Sequence, residues 1–156
     1  MAFGAPSVKG RALRYLAQRE HSRAELTRKL ARHVEDTAEA AAAAQIAGAL
    51  DELVERGLLS EARVAESVLA SQGARYGSRR LKQTLQNKGL NAELVAATLQ
   101  KARATELERA RTVWRRKFGT PAQDAAGRAK QMRFLAGRGF DGEVIRAVVQ
   151  GDIADE

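Results

Sequence analysis

The chain of 156 residues has no cysteine, only two prolines, and aromatic residues at 4% of its length. Without cysteine it can form no disulfide, thiolate nucleophile or cysteine-based zinc site, and this composition suits a reducing compartment. No apolar run approaches about 18 residues, so we expect no membrane-spanning helix. The first residues also lack the apolar core of a signal peptide, and the sequence therefore predicts a cytoplasmic protein.

The residues that are present predict an all-α fold. Hydrophobic residues make up 44% of the chain, which is too high for a disordered protein. Alanine is common and β-branched residues are scarce, which favours helices. Ser22 and Glu25 have capping-box spacing. Further helix starts are predicted at Thr120 (with Pro121 and Gln123), more weakly at Thr105 with Glu108, and at the N-cap residues Asn91 and Asp141.

Three glycines mark helix ends. Gly57, Gly89 and Gly139 each follow a helical run that ends in a basic residue, as expected for a left-handed glycine after a helix. We expect positive φ at Gly89 and Gly139. Together, the start and stop signals predict nine helices, over residues 8–20, 23–33, 38–56, 61–74, 78–88, 92–103, 106–118, 121–138 and 142–150.

An internal repeat relates Arg79–Leu99 to Ala129–Val149 at an offset of 50 residues. A weaker copy begins at Ser22, where Val34 replaces the turn glycine and an insert rich in alanine and acid follows at 35–44. At Val34 we expect no positive φ, with Asp36 or Thr37 capping the next helix. The repeat predicts three three-helix modules and a tail: 1–57 (near-neutral), 58–104 (basic), 105–150 (basic) and 151–156 (short, acidic).

The positive charge is concentrated in the second part of the chain. The net charge is +8, yet residues 1–70 hold 10 basic and 10 acidic residues, and residues 71–156 hold 17 and 9. Between Gln72 and Leu90 there are five basic residues and no acid. Between Arg109 and Arg138, Asp124 is the one acid among nine basic residues. This asymmetry favours a polyanionic partner such as nucleic acid or a nucleoprotein, over a merely solvated surface.

The candidate partner-binding or DNA-binding residues fall in two clusters. The first surrounds Tyr76, which either stacks on a base or packs on the core; its basic members are Arg75, Arg79, Arg80 and Lys82, with Lys88 farther along. In the second, Trp114 and Phe118 share one helix face and are expected in the core, so the basic residues between them point outward. That cluster comprises Arg115, Arg116 and Lys117, extended by Arg128, Lys130 and Arg133, while Met132 and Leu135 face inward.

The sequence gives no sign of catalysis, a metal or a cofactor. His21 and His33 lie twelve residues apart without carboxylates at ligand spacing, and we expect them at surface or cap positions. Asp51, Glu52 and Glu55 alternate with apolar residues, as on a solvated helix face. Gly137-Arg138-Gly139 lacks the strand and the Lys-Ser/Thr of a phosphate loop. We expect a protein that is not an enzyme.

The segments Ala12–Leu30, Leu50–Gly89 and Arg133–Val149 resemble the bacterial RecX family, regulators of the RecA recombinase. The resemblance covers about residues 10–150, and it is carried by the order of several short motifs. These are Ser22-Arg23-x-Glu25-Leu26-x-x-Lys29-Leu30, Arg56-Gly57-Leu58-Leu59, Tyr76-Gly77-Ser78-Arg79-Arg80-Leu81, Arg133-Phe134-Leu135 and Arg138-Gly139-Phe140. The chain departs from the family pattern at Val34, where a glycine is usual, in the alanine-rich insert, and at Val64, where an aromatic is common.

The resemblance implies three three-helix repeats in an elongated, curved arrangement. It also implies a protein that binds RecA and the RecA–single-stranded-DNA filament, lodges in the filament groove, and restrains filament growth, ATP hydrolysis, strand exchange and co-protease action. Such a protein regulates DNA repair, recombination and the SOS response. From the basic second part of the chain we expect weak direct DNA binding, and we expect a monomer. Two alternatives stay open: a helical DNA-binding or nucleoid protein that acts without RecA, and a scaffold for acidic proteins.

Overall fold

A computed structural model describes residues 6–34 and 39–151, and all regular structure in those residues is helical. The helices are α1 (Val8–Gln18), α2 (Arg23–Ala31), α3 (Glu39–Glu55), α4 (Glu61–Gln72), α5 (Ser78–Asn87), α6 (Ala92–Ala104), α7 (Glu106–Lys117), α8 (Ala125–Gly137) and α9 (Gly142–Val149). Every predicted helix has a counterpart within the described part of the chain. The all-α prediction is thereby confirmed.

Two predicted caps are confirmed in full. Ser22 and Glu25 form the reciprocal capping box, in which the Ser22 side chain accepts from Glu25 N and the Glu25 side chain accepts from Ser22 N. The Asn91 side chain accepts from Leu94 N at 2.8 Å. Thr105 and Asp141 precede helices as predicted, but neither side chain makes a cap hydrogen bond.

The predicted start of α8 at Thr120–Pro121 is wrong. The helix begins at Ala125, because Asp124 Oδ1 accepts from Gly127 N at 2.7 Å and so caps it. The Thr120 hydroxyl instead faces back along the chain to the Phe118 carbonyl, at 3.4 Å. A side-chain acceptor next to the first turn defines a helix start, and aspartate ranks above threonine in that role.

The predicted left-handed glycines are confirmed. The φ angles are 72° at Gly57, 73° at Gly89 and 84° at Gly139. Val34 does not have positive φ, also as predicted, since every described residue with positive φ is a glycine. The predicted cap at Asp36 or Thr37 lies outside the described residues.

The chain divides into two compact units. The first comprises the residues up to Ser67 together with Lys88–Leu90, and its core consists of Ala12, Leu26, Leu30, Ile46, Leu50, Leu53 and Leu59. The second comprises 68–87 and the residues from Asn91 onward, and its core includes Ala110, Leu135, Phe140, Ile145, Val148 and Val149. Leu135 belongs to that core and Met132 packs against it, so the predicted inward face of α8 is confirmed; Trp114 of α7 packs against the same core.

In the first unit, the glycine turn after α5 docks on the start of α2. Ser22 Oγ donates to the Lys88 carbonyl, and a Cβ on Gly89 would lie only 2.6 Å from the Ala24 Cβ. The carboxylate of Glu61, the first residue of α4, accepts from Arg23 N at 2.8 Å. The turn therefore needs glycine for close packing as well as for its backbone conformation.

The second unit repeats this junction with the next set of residues. Gly77 N and Arg79 N donate to the carbonyls of Arg138 and Gly139, at 2.9 and 3.0 Å. A Cβ on Gly139 would overlap the Arg80 Cβ. Glu106, the first residue of α7, accepts from both the N–H and the hydroxyl of Ser78. The start of α5, the first residue of α7 and the glycine turn after α8 are thus fixed to one another.

Candidate anion-binding site

The turn that joins α4 to α5 is held in place by Arg109 of α7. The Arg109 guanidinium donates to the carbonyls of Gly73 and Tyr76, at 2.5 and 2.6 Å, and to the Ala102 carbonyl at 2.7 Å. Burial lowers the pKa of Arg109 and the nearby Glu106 carboxylate raises it, but an arginine stays protonated in proteins. A charged donor to three carbonyls makes this turn rigid, and it fixes the backbone that carries the side chains of Arg75 and Tyr76.

Cations surround two aromatic rings beside this turn. The Arg80 guanidinium carbon lies 4.2 Å from the centre of the Tyr76 ring, and that of Arg75 lies 5.4 Å from it. The Arg138 guanidinium lies 5.8 Å from the Tyr76 ring and 5.2 Å from the Phe134 ring. Lys117 Nζ is 5.4 Å from Phe134. These distances are in the range of cation–π attraction, so Arg138 is held between the two rings.

An open cavity of about 310 Å³ adjoins these rings, and we call it the cationic cavity. It is lined by Ala74, Arg75, Val113, Arg116, Lys117, Phe134 and Arg138, all of the second unit. Apolar side chains supply part of its wall and four cations supply the rest. Ligand cavities commonly combine apolar walls with a few charged groups in this way.

Within the described residues, the cations of the cavity have no carboxylate partners. Across residues 6–34 and 39–151, no ion pair involves Arg75, Arg116, Lys117 or Arg138. Four like charges around so small a volume repel one another. An anion that entered the cavity would relieve this repulsion, so the arrangement favours an anionic ligand.

The structure brings together only part of the predicted site. Arg75, Arg116 and Lys117 line the cationic cavity, and Tyr76 and Arg80 adjoin it. Arg79 is 73% exposed and forms a long ion pair of 3.5 Å with Asp141. The remaining candidates of this unit are exposed but outside the cavity lining: Lys82, Arg115, Arg128, Lys130 and Arg133.

Lys88 belongs to the first unit, where its charge is balanced inside the protein. Its Nζ donates to Glu25 at 3.0 Å, and Arg19 contacts the other oxygen of the same carboxylate at 2.8 Å. Burial alone would raise the pKa of Glu25, but hydrogen bonds from Arg19, Lys88 and the Ser22 backbone lower it to about 2. Lys88 therefore holds the glycine turn after α5 against α2.

Sequence reasoning missed Phe134 and Arg138 as site residues. The sequence assigns Arg138 only the role of the basic residue at the end of α8. Its main-chain carbonyl does accept from Gly77 N, but its side chain lines the cavity. Two signals in the sequence could have identified them. Phe134 and Arg138 are four residues apart and so share a helix face. They also lie in the segment from Arg109 to Arg138, where Asp124 is the only acidic residue.

The expected surface or cap position of His21 is wrong, because its side chain is only 1% exposed. Its Nδ1 lies 3.0 Å from the Arg19 carbonyl and its Nε2 lies 3.0 Å from Lys29 Nζ, so the neutral ring with the proton on Nδ1 satisfies both contacts. Burial lowers the pKa of His21. His33 is exposed, as expected.

The described residues define a class: a helical-repeat protein with a cationic cavity. They contain no cluster of histidine and carboxylate groups suited to a metal ion, and none of their helices has the length and hydropathy to span a membrane. Family models for the first, second and third three-helix domains of RecX match residues 9–44, 60–99 and 104–149.

Relatives and solved structures agree with these matches. The chain is 51% identical to the regulatory protein RecX of Leptothrix cholodnii (92% of this chain, 88% of the relative) and 45% identical to that of Ralstonia nicotianae (93% and 87%). The crystal structure of RecX from Lactobacillus salivarius has the same fold, with a TM-score of 0.74 at 21% identity over 92% of both chains. The chain belongs to the RecX family, whose members are named regulatory proteins and not enzymes.

Proposed function

We propose that this protein regulates homologous recombination and the SOS response by binding RecA and the RecA–single-stranded-DNA filament. In this role it acts in the cytoplasm as a monomer, without catalysis, and restrains filament growth, ATP hydrolysis, strand exchange and co-protease action. The observation that carries the proposal is the match to all three RecX domains in order, along almost the whole chain. The module boundaries at 57/58 and 104/105 belong to the same proposal.

The four cavity cations, which form no ion pair within the described residues, support a nucleoprotein partner. A filament of recombinase on DNA presents phosphate and acidic protein surface, and both attract such a cavity electrostatically. The same cations keep a second function open, in which the protein binds DNA without RecA. The two functions differ in the amount of protein that they require.

RecA ATP hydrolysis on single-stranded DNA separates the two functions. A filament regulator suppresses hydrolysis at far fewer than one molecule per RecA subunit, because blocking growth at few positions affects many subunits. A DNA-coating protein must compete for the DNA and acts only near stoichiometric amounts. Suppression that appears only when the protein saturates the DNA would contradict the regulator proposal.

A pull-down from bacterial lysate gives an independent test. The regulator retains RecA after nuclease treatment, whereas a protein that binds only DNA loses it. The charge-reversal variant Arg79→Glu with Arg80→Glu, discussed below, serves as the weakened control.

A further inference from the structure

We propose that the cationic cavity holds one nucleotide of a single-stranded nucleic acid, with the phosphate on Arg75, Arg116 and Lys117 and the base against Phe134. This inference rests on the DNA component of the proposed function and deepens it. It names the site on the chain, the unit of nucleic acid that is bound, and the form of the strand.

The charge and the residue types of the cavity favour phosphate. Three of its four cations are arginines, whose planar guanidinium donates two parallel hydrogen bonds to phosphate oxygens. None of the four is neutralised by a carboxylate in the described part of the chain. A phosphate therefore gains these contacts without breaking an existing ion pair.

The size of the cavity favours a single nucleotide over a peptide. At about 310 Å³ it is at the small end of ligand cavities. A docked helix needs a groove for side chains over two turns, and a peptide that binds by strand addition needs a sheet edge. Residues 68–87 and 91–151 contain no strand, so a peptide cannot bind there by strand addition.

The apolar wall suits a base. Val113 and Phe134 are half-buried and still line the opening, and the Arg138 guanidinium stays between the rings of Phe134 and Tyr76. Bases stack on aromatic rings and on arginine planes, whatever their sequence. A base in a duplex would first have to leave its stack and its pair, at a cost of a few kcal/mol. The cavity should therefore prefer single strands.

The cavity is formed before the ligand arrives. Arg109 fixes the turn that carries Arg75, and the Arg138 carbonyl is bonded to Gly77 N in the junction. Arg138 thus fixes the contact between the two turns through its main chain and lines the cavity with its side chain. Pre-organisation of this kind reduces the ordering cost of binding.

Neighbouring arginines on α7 provide a matched pair of variants. Arg116 lines the cavity and Arg115 does not, yet both are exposed and both lose one charge on conversion to glutamine. We expect Arg116→Gln to weaken binding of a fluorescent oligothymidylate about three- to tenfold, and Arg115→Gln less than about twofold, by anisotropy at fixed salt. Because neither side chain is buried, both variants should melt at the wild-type temperature.

The base is tested with Phe134→Leu and an abasic oligomer of equal length. Losing the ring should weaken thymidylate binding about fivefold and leave the weaker abasic binding unchanged. A duplex of the same length should bind less tightly than the single strand at equal salt. Oligoglutamate tests the peptide alternative and should show no difference between Arg115→Gln and Arg116→Gln.

Four results would overturn the inference. Equal losses for Arg115→Gln and Arg116→Gln would indicate a diffuse surface. Equal effects of Phe134→Leu on both oligomers, or duplex binding as tight as single-strand binding, would remove the base from the cavity. Oligoglutamate binding that depends on Arg116 would assign the cavity to acidic protein.

The RecA assay keeps this inference separate from the proposed function. If the wild type suppresses RecA hydrolysis but Arg116→Gln binds DNA like Arg115→Gln, only the nucleotide site fails. If DNA binding depends selectively on Arg116 but the wild type has no effect on RecA, the proposed function fails and the site stands.

Discussion

At the scale of single residues, Gly57 and Gly89 show two different reasons why a position requires glycine: a left-handed backbone conformation and close packing. Both have φ near 72° in the first unit, but a Cβ on Gly57 would meet nothing within 4 Å, whereas a Cβ on Gly89 would meet Ala24. Gly57→Ala should lower the free energy of unfolding by about 1–2 kcal/mol, because alanine is strained only by the left-handed backbone conformation. Gly89→Ala should cost at least about 1 kcal/mol more, measured by urea unfolding.

Ala24→Gly provides the control for that comparison. It removes the Cβ that the new side chain would meet, so the double variant Ala24→Gly with Gly89→Ala should be more stable than the sum of the single costs implies. Strict additivity of the two costs would contradict the docking of the glycine turn on α2.

Glu25 makes the stability of the first unit dependent on pH. Its pKa is about 2 in the folded protein, against an ordinary value of 4.5 for a glutamate. The folded state therefore binds fewer protons, and the stabilisation is complete above about pH 4.5 and is lost as the pH falls through about 2. Glu25→Gln should lose on the order of 2 kcal/mol at pH 7, because Arg19 and Lys88 lose their partner.

Unfolding in urea at pH 7 and near pH 2 measures this linkage. The gap between wild type and Glu25→Gln should narrow as the pH falls. Asp51→Asn is the matched control, because Asp51 pairs with Arg23 but is 66% exposed. This variant should change the free energy of unfolding by less than about 0.5 kcal/mol. A gap that stays constant down to pH 2 would mean that Glu25 is not the titrating group.

At the scale of elements, α8 shows that capping chemistry sets a helix boundary. Asp124→Ala removes the acceptor from Gly127 N and should destabilise the second unit by about 1 kcal/mol. Thr120→Ala should change stability by less than about 0.5 kcal/mol, because its hydroxyl makes only a 3.4 Å contact to Phe118. Thermal melts of the two variants give the comparison, and equal effects would return the helix start to Thr120.

The exposed start of α5 tests the binding face. Arg79→Glu with Arg80→Glu reverses two charges beside the cationic cavity, and it should change stability by less than about 1 kcal/mol because both side chains are exposed. Suppression of RecA ATP hydrolysis should fall sharply, since the guanidinium groups of Arg80 and Arg138 both lie near the Tyr76 ring. Wild-type suppression by this variant would show that α5 is not on the binding face.

The helices could be predicted from signals within a few residues of each other. The burial of His21 and the cationic cavity could not, because they depend on contacts between distant parts of the chain. The signals of Ser22 with Glu25, of Asn91 and of the glycines that follow a basic residue act within a few residues, so their pattern is visible in the sequence. The burial of His21 depends on Tyr15 and Lys29, which approach it only in the folded unit. The cationic cavity likewise joins Arg75 to residues 38 to 63 positions later, and no spacing rule brings them together.

At the scale of the whole molecule, the charge excess beyond residue 70 should appear in the salt dependence of DNA binding. If about four to six phosphates are neutralised, the logarithm of the affinity for single-stranded DNA should fall with the logarithm of salt with a slope of about −3 to −4. Titrations at several salt concentrations measure this slope. A flat response would mean that the basic residues do not meet phosphate.

The docking of the glycine turns also gives the contacts between repeats a direction along the chain. Each junction joins the start of a middle helix to the glycine turn of the following repeat. In the first repeat, Val34 occupies the sequence position of that glycine and lacks positive φ. In the third, the residues next to the first turn of α8 come from the preceding loop, since a Cβ on Gly127 would meet Asp124 and Ala122. The first repeat therefore lacks the glycine turn that the second and third repeats contribute, and it could not replace either of them at these junctions.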